Sequence, residues 1–300
     1  MDRLKLDFLG VEMKNPIIAA SGTFGYGDDY RDFFDPSILG GVSSKGITFN
    51  AKDGNSGIRV YETPAGLLNS IGLQNPGIAG FITDYLPNMR KLGCALIVNL
   101  GGDTMEQYIG ALEMLEGQEF DILELNISCP NVKSGGMAFG MKAEDVFQIV
   151  SESKKNSSHK MMVKLTPNAF NLVDTAIAAQ EAGADAVSLV NTFSAMAIDV
   201  NNKKAVFDNV YAGLSGPAIM PIALRMVHQV SKALDIPVCG MGGISSAEDA
   251  IAFMMAGARC VQVGSIIFRD PNAPVKMIEG LRLFCEQEGL TSLSDIVGII

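Results

Sequence analysis

The stretch LELNISCPNVKSGG, Leu123–Gly136, ends an apolar run at Asn126 and sets Cys129 between Ser128 and Pro130, with Asn131 close behind. No His or acidic residue stands directly beside Cys129. A thiol activated for covalent attack by an adjacent base is therefore not indicated. The residues describe an isolated thiol among amides at the lip of a strand, followed by Gly135 and Gly136.

Similar groups recur where other apolar runs stop. One run ends at Ala20-Ser21-Gly22, the next at Lys45-Gly46, and others at Asn99, Asn126, Lys164 and Asn191-Thr192. The last two end in GMGGISS and VGSIIF. A single polar residue after a strand means little. Eight such ends together describe a pocket rich in hydrogen-bond donors and poor in carboxylates, suited to an anionic ligand with many heteroatoms. Gly242-Gly243 opens a helical pattern and Gly264-Ser265 follows the next run. Backbone amides without Cβ interference, next to a helix start, suit phosphate. The alternative is that these glycines only make tight turns. Ser245 occupies the third glycine's place in GMGGIS, so a dinucleotide fingerprint is not supported. Lys45 and Lys164 lie in apolar surroundings, where a lysine is costly to bury unless it meets an anion. A lysine reaching for water at such a strand end points into the pocket. His159 and His228 read as surface or packing residues.

These groups need a scaffold that gathers strand ends. Short apolar runs at Ile17–Ala20, Gly41–Ser44, Ala95–Asn99, Ile122–Asn126, Met161–Leu165, Ala186–Val190, Ile236–Cys239 and Cys260–Val263 alternate with helical patterns. The helical patterns are Pro76–Leu92, Thr104–Glu116, Ala143–Lys154, Asn171–Ala182, Pro217–Leu234, Ser245–Ala256 and Ala273–Glu288. Strands apolar on both faces and separated by helices pair in parallel with right-handed crossovers. Eight of them predict an α/β fold, a (β/α)8 TIM barrel, whose chemistry gathers at the carboxyl ends of its strands. An open doubly wound sheet is the alternative. LKLDFLGVEMKNP predicts an N-terminal β-hairpin plugging the barrel bottom. No linker or low-complexity tract divides the chain, so residues 1–300 read as one domain.

With 300 residues, 48% hydrophobic, the chain can bury a large core. A net charge of −10 makes nucleic acid and anionic membranes poor partners. The start lacks a signal peptide's apolar stretch, and no apolar run is long enough to span a bilayer. Five scattered cysteines, without CxxC or a His/Cys cluster, predict no intrinsic metal site and a reducing cytoplasm. Cys94, Cys239, Cys260 and Cys285 read as core.

NSIGLQNPG (Asn69–Gly77), LNISCPNV, VKLTPN, LVNTF, GLSGPA, GMGGISSAEDA and VQVGS, in this order and spacing, resemble the class 1 dihydroorotate dehydrogenase family along essentially the whole chain. The resemblance implies an FMN-containing (β/α)8 barrel that oxidises dihydroorotate to orotate in pyrimidine synthesis. GLQNPG and CPNVKSGG look like class 1B, where fumarate-using class 1A is expected to differ at Gln74. Class 1B implies a second subunit carrying FAD and a 2Fe–2S cluster, electrons passed to NAD, and a dimer of barrels flanked by two such partners. Carried over by motif, FMN contacts fall on Ala20, Ser21, Lys45, Gly46, Asn99, Asn126, Lys164, Val190, Gly216, Gly242, Gly243, Gly264 and Ser265. Orotate contacts fall on Lys45, Asn69, Ser70, Ile71, Gly72, Leu73, Asn126, Asn191 and Thr192, with Asn131 in the same pocket motif.

The resemblance makes Cys129 the catalytic base. Oxidising a saturated C–C bond beside a carbonyl removes a proton and a hydride, and a thiolate can take the proton without bonding to carbon. Gly135 and Gly136 would let its loop act as a lid. Lys164 would stabilise charge on the reduced flavin. A dihydropyrimidine dehydrogenase-like barrel shares the Cys motif but takes substrates lacking a carboxylate. An aldolase or isomerase using Lys164 as an imine-forming lysine, and a non-catalytic binding protein, are readings from other classes.

Overall fold

The computed structural model describes residues 3–128 and 139–300. The predicted hairpin is present as β1 (Leu6–Phe8) and β2 (Val11–Met13). Leu9 and Gly10 join them, both at positive φ (59° and 84°), the geometry that matches the twist of a two-residue hairpin. The following strands are β3 (Ile17–Ala19), β4 (Gly41–Ser43), β5 (Val60–Thr63), β6 (Gly66–Asn69), β7 (Ala95–Leu100), β8 (Ile122–Asn126), β9 (Met161–Lys164), β10 (Ala186–Leu189), β11 (Phe193–Met196), β12 (Ile198–Asp199), β13 (Lys204–Ala205), β14 (Tyr211–Ser215), β15 (Val238–Met241) and β16 (Ala258–Val263).

Eight of these close a parallel barrel in the order β3-β4-β7-β8-β9-β10-β15-β16 and back to β3. The fold predicted from alternating apolar runs and helical patterns is therefore the one observed. The seventh run is displaced: Val238–Met241, not Ile236–Cys239, forms the strand. Pro237 donates no amide hydrogen, so the ladder starts after it.

Strand parity explains the interior. In β8, Leu123 and Leu125 face the outer core beneath the helices, while Ile122 packs inside with the floor. The floor gathers Ile18, Ile97, Ile122, Met162, Ala186, Cys239 and Cys260, and onto it pack Leu6, Phe8 and Met13 of the hairpin. The hairpin is thus the barrel's plug. Each such large apolar side chain contributes roughly 1.5–3 kcal/mol on full burial. Cys239, Cys260 and Cys285 are buried, as read from the sequence, whereas Cys94 is only partly buried.

The outer helices begin where their caps dictate. Thr104 accepts from the Gln107 amide ahead of Met105–Leu115, and Asn171 caps Leu172–Glu181. Ser246 and Asp249 form a reciprocal capping box before Ala247–Met255. The first crossover, from β3 to β4, contains only two short 3-10 turns, Asp28–Tyr30 and Pro36–Ile38. The long C-terminal helix Ala273–Gln287 packs against β3 and covers that side. Among the described residues no helix is long and apolar enough to cross a membrane.

One feature was not read from the sequence: an antiparallel sheet, β11-β14-β6-β5, standing on the barrel's carboxyl rim. Its strands come from two separate excursions, after β4 and after β10, and β14 pairs with β6 across them. This pairing brings NSIGL and GLSGPA together from positions about 145 residues apart, as in Gly213 opposite Asn69.

Candidate active site

The carboxyl ends of the barrel strands hold the predicted groups in three adjoining sets. In the first, Ala20 follows β3 and donates its amide to Val263 at 2.9 Å. A Cβ added to Gly264 would lie 3.6 Å from the Ala20 Cβ, so Ser21 and Gly264-Ser265 are neighbours. In the second, Val190, Gly216, Gly242 and Gly243 converge. A Cβ at Gly242 would meet the Val190 side chain at 3.1 Å, and one at Gly243 would meet the Gly216 carbonyl oxygen at 2.7 Å. Both glycines have positive φ. The protein's own packing therefore demands Gly243. Gly264 differs: its φ is not positive, and an added Cβ would find only ordinary contacts.

The third set surrounds β6, β10 and β14. Asn69 donates Nδ2 to the Gly213 carbonyl at 3.2 Å, and a Cβ on Gly213 would collide with the Thr192 hydroxyl. Asn69 and Thr192 thus lie on either side of Gly213. Ser70 accepts from Asn55, and its amide donates to Arg59 at 2.8 Å. Ile71 accepts from the Asn55 amide. Gly72 and Leu73 both take positive φ, 76° and 52°. They turn the Leu73 side chain toward Gly46 and Gly101 at the barrel mouth. Asn75 anchors this loop by accepting from the Thr48 and Gly77 amides and donating to the Thr48 hydroxyl and the Leu73 carbonyl.

Beneath these sets lies a polar layer inside the barrel. Glu124 is fully buried. Its carboxylate accepts from Ser43 on β4, Asn99 on β7, Ser188 on β10 and Gln262 on β16. Lys164 on β9 lies 3.6 Å from it as an ion pair. One acid on β8 thereby joins five other strands. Burial pushes its carboxyl up, but Lys164 and the hydrogen bonds from Ser188, Asn99 and Gln262 outweigh that and hold it below the usual carboxylate range.

Above Glu124 the polar groups form a line. Asn126 donates Nδ2 to Asn99 Oδ1 at 3.2 Å, and its own Oδ1 accepts from the Ser128 hydroxyl. Asn191 donates to that hydroxyl, and its Oδ1 accepts the Thr192 amide at 2.7 Å. The Tyr108 hydroxyl fixes the Asn126 carbonyl at 2.8 Å.

Lys45, just past β4, lines a cavity of about 420 Å³ with Gly22, Thr23, Asp29, Ile267 and Phe268. Its amine is held below the usual lysine range, first by burial and then by the charge of Arg59, with Asp29 opposing. A larger hollow of about 580 Å³ lies at the starts of helices Ala143–Lys155 and Leu172–Glu181. Lys142, Glu144, Asp145 and Asp174 line it, and none of the strand-end groups reaches it.

Cys129 and Asn131 lie outside the described residues, as do Gly135 and Gly136, and the other predicted residues lie at the strand ends or on the rim loop above them. Two sequence readings change. The pocket is not poor in carboxylates at its base, because Glu124 stands there. Lys164 does not reach for water: it is 5% exposed, and the anion it meets belongs to the protein. Parity in ILELN carries the missed signal, since Glu124 shares a face with Ile122 and Asn126.

The family model described as dihydroorotate dehydrogenase matches residues 3–284. The chain is 51% identical over 296 residues to a protein of Petrotoga mobilis, covering 99% of both chains. It is 48% identical to one of Thermoanaerobacter pseudethanolicus, covering 98% of both, and 46% identical to one of Brachyspira hyodysenteriae, covering 99% of both. Each of these three proteins carries the name dihydroorotate dehydrogenase B (NAD(+)), catalytic subunit.

Proposed function

The chain belongs to the dihydroorotate dehydrogenase family, and from that premise we propose that it oxidises (S)-dihydroorotate to orotate in pyrimidine synthesis, as the catalytic subunit of an NAD-linked enzyme. The observation that carries the reading is the full-length similarity to relatives bearing that one activity name. The line of amides and hydroxyls at the strand ends supports it, because a planar, anionic pyrimidine offers several acceptors to such donors.

The residues present fit FMN. Gly264 is a glycine that protein contacts do not require, which is what close approach of a phosphate to the backbone would require. In this reading Gly216, Gly242, Gly243, Gly264 and Ser265 hold the phosphate end. Ala20, Ser21, Lys45, Gly46, Asn99, Asn126, Lys164 and Val190 hold the ring system. When bound, FMN supplies the hydride acceptor.

The chain's own part is positioning and proton transfer. Two C–H bonds of the substrate would break and a C=C bond would form: the proton would go to the Cys129 thiolate, and the hydride to the acceptor that bound FMN would supply. Lys45, Asn69 through Leu73, Asn126, Asn131, Asn191 and Thr192 orient the ring and its carboxylate. Lys164 would meet the ring system of the bound cofactor, and its amine is already engaged with Glu124 at 3.6 Å, the same group an imine mechanism would use as nucleophile.

Among the described residues no group of three or more His, Cys, Asp or Glu could hold a metal. The FAD and 2Fe–2S cluster of this reading belong to a partner subunit, in an assembly of two barrels and two partners. The test is NAD reduction by the purified chain alone and with that subunit. Dihydroorotate should reduce dyes through the chain alone, and NAD only with the partner. Full NAD-linked turnover by the chain alone would overturn the assignment, and brisk turnover with fumarate would move it to class 1A.

A further inference from the structure

Residues 53–59, DGNSGIR, read as an ordinary turn of small polar residues with two glycines. In the structure this segment runs antiparallel beside the substrate loop, residues 69–75. Its two ends are paired. Lys52 and Asn75 exchange backbone hydrogen bonds at 3.0 Å each, and Val60 opposes Asn69 where β5 meets β6. Between these ends the register slips. Asn55 meets Ile71 and Arg59 meets Ser70, which leaves Ser56, Gly57 and Ile58 as an exposed bulge. Ser56 donates its hydroxyl to Asp208 at 2.8 Å.

Asn55 lies directly against the substrate loop. Its amide donates to the Ile71 carbonyl at 3.0 Å. Its Nδ2 donates to the Ser70 carbonyl at 3.1 Å and to the Ser70 hydroxyl at 3.0 Å. A carbonyl only accepts, so Asn55 turns its NH2 and not its oxygen toward Ser70. A Cβ on Gly72 would lie 2.5 Å from Asn55 Oδ1 and 2.6 Å from the Asn55 amide nitrogen. Gly72 therefore rests on this one residue. Gly54 is as close, since a Cβ there would meet the Ile71 carbonyl oxygen at 2.7 Å.

The loop needs such a support. Leu73 has a φ of 52°, a region that residues with a Cβ populate sparsely and keep only where the surroundings hold them. Arg59 holds one end through the Ser70 amide, and Asn75 the other through the Leu73 carbonyl. Between them, among the described residues, the one hydrogen bond to Ile71 or Gly72 comes from Asn55.

We propose that Asn55 is a positioning residue for substrate recognition: it props Ser70, Ile71 and Gly72 in the turn that delivers Leu73 and the loop's backbone to the barrel mouth. This rests on the functional reading above, in which Asn69 through Leu73 orient the substrate. Asn55 acts through the loop and not by touching the ligand. Without its side chain the loop samples other conformations, only a fraction stays competent to bind, and the apparent affinity falls by that fraction.

The experiment follows orotate binding to the FMN-loaded protein by stopped-flow flavin absorbance, with FMN affinity and melting temperature recorded in parallel. Asn55→Ala should weaken orotate about 10- to 100-fold, the effect of two lost hydrogen bonds of ordinary net strength. Loops rearrange within nanoseconds to microseconds, so the loss should fall on the association rate. The dissociation rate should stay within about threefold of wild type, since the bound state is unchanged. A lost direct contact would instead speed release. Asn55→Asp keeps the size but turns an acceptor toward the Ser70 carbonyl, and should bind orotate no better than Asn55→Ala. Gly54→Ala drives a Cβ into the Ile71 carbonyl and should slow association in the same way. It serves alone if Asn55→Ala does not fold. Ser56→Ala removes the neighbouring bond to Asp208, away from the loop, and should stay within about threefold of wild type. FMN affinity should be that of wild type in all four. Unchanged orotate affinity in Asn55→Ala and Gly54→Ala, full affinity in Asn55→Asp, or an equal loss in Ser56→Ala would overturn the proposal. So would a loss confined to the dissociation rate, or a parallel loss of FMN. Wild-type protein that holds FMN but does not bind orotate would instead sink the functional reading.

Discussion

Lys164 Nζ lies 3.6 Å from Glu124 Oε2, with the two side chains only 6% and 0% exposed. Neither charge has water to turn to, so each depends on the other and on the neutral donors around the carboxylate. Six of the eight barrel strands meet at this point.

Removing one partner should therefore be costly. Lys164→Met leaves a buried carboxylate without its cation and should destabilise the fold by about 3–5 kcal/mol, as for other broken buried pairs. The pH dependence follows from the depressed folded-state value at Glu124. A depressed carboxyl contributes stability that is present above the unfolded value, about 4.3 for Glu, and lost as pH falls through the folded value. Urea unfolding from pH 7 to 3 should show a steep acid loss in wild type and a shallower one in Lys164→Met. Identical acid slopes would contradict the coupling.

Cys129→Ala should leave FMN bound but slow its reduction by dihydroorotate by roughly 10²–10⁴-fold, the usual contribution of a positioned base. Stopped-flow absorbance reads this directly, and a slowing of only a few-fold would remove Cys129 from the role. Cys129→Ser should be slow at neutral pH and recover as pH rises.

The separation between glycines that the fold needs and one that a ligand needs is also measurable. Gly243→Ala places a Cβ 2.7 Å from the Gly216 carbonyl at a φ of +79° and should cost more than about 1 kcal/mol of stability. Gly264→Ala meets only ordinary contacts, so thermal unfolding without cofactor should barely change. FMN affinity, read by fluorescence quenching, should fall about tenfold, on the order of one lost charge-assisted hydrogen bond. The reverse pattern would put the phosphate elsewhere.

Lys45→Ala should weaken orotate binding far more than Lys52→Ala. Lys52 is committed to Asp103 at 2.6 Å and partly exposed, a pair of the kind worth about 0–1 kcal/mol. Because burial holds the Lys45 amine below its ordinary value, wild-type affinity for the orotate anion should decline with rising pH before the usual lysine range. That decline should be absent in Lys45→Ala.

Much of this architecture can be read from the chain because its signals are local. Ile122–Asn126 matches its strand at both ends, and the Ser246–Asp249 box marks its helix start. The rim sheet could not be read this way. Asn69 and Gly213 pair only because two excursions meet above the barrel, and neither short strand alternates clearly: β6 is at least half-buried throughout. Glu124 was legible in principle by parity, yet its partners Ser188 and Gln262 each stand alone in apolar runs, and Ser43 sits beside Ser44 at the end of another. Only closure of the barrel brings them to one point.

One anaerobic titration decides whether the chain oxidises dihydroorotate. Dihydroorotate is added to the purified, FMN-loaded chain while the visible spectrum and orotate release are followed together. The flavin should bleach with one orotate formed per flavin reduced, and dihydrouracil, which lacks the carboxylate, should cause no bleaching. An oxidised spectrum that dihydroorotate leaves unchanged, or bleaching by dihydrouracil alone, would contradict it.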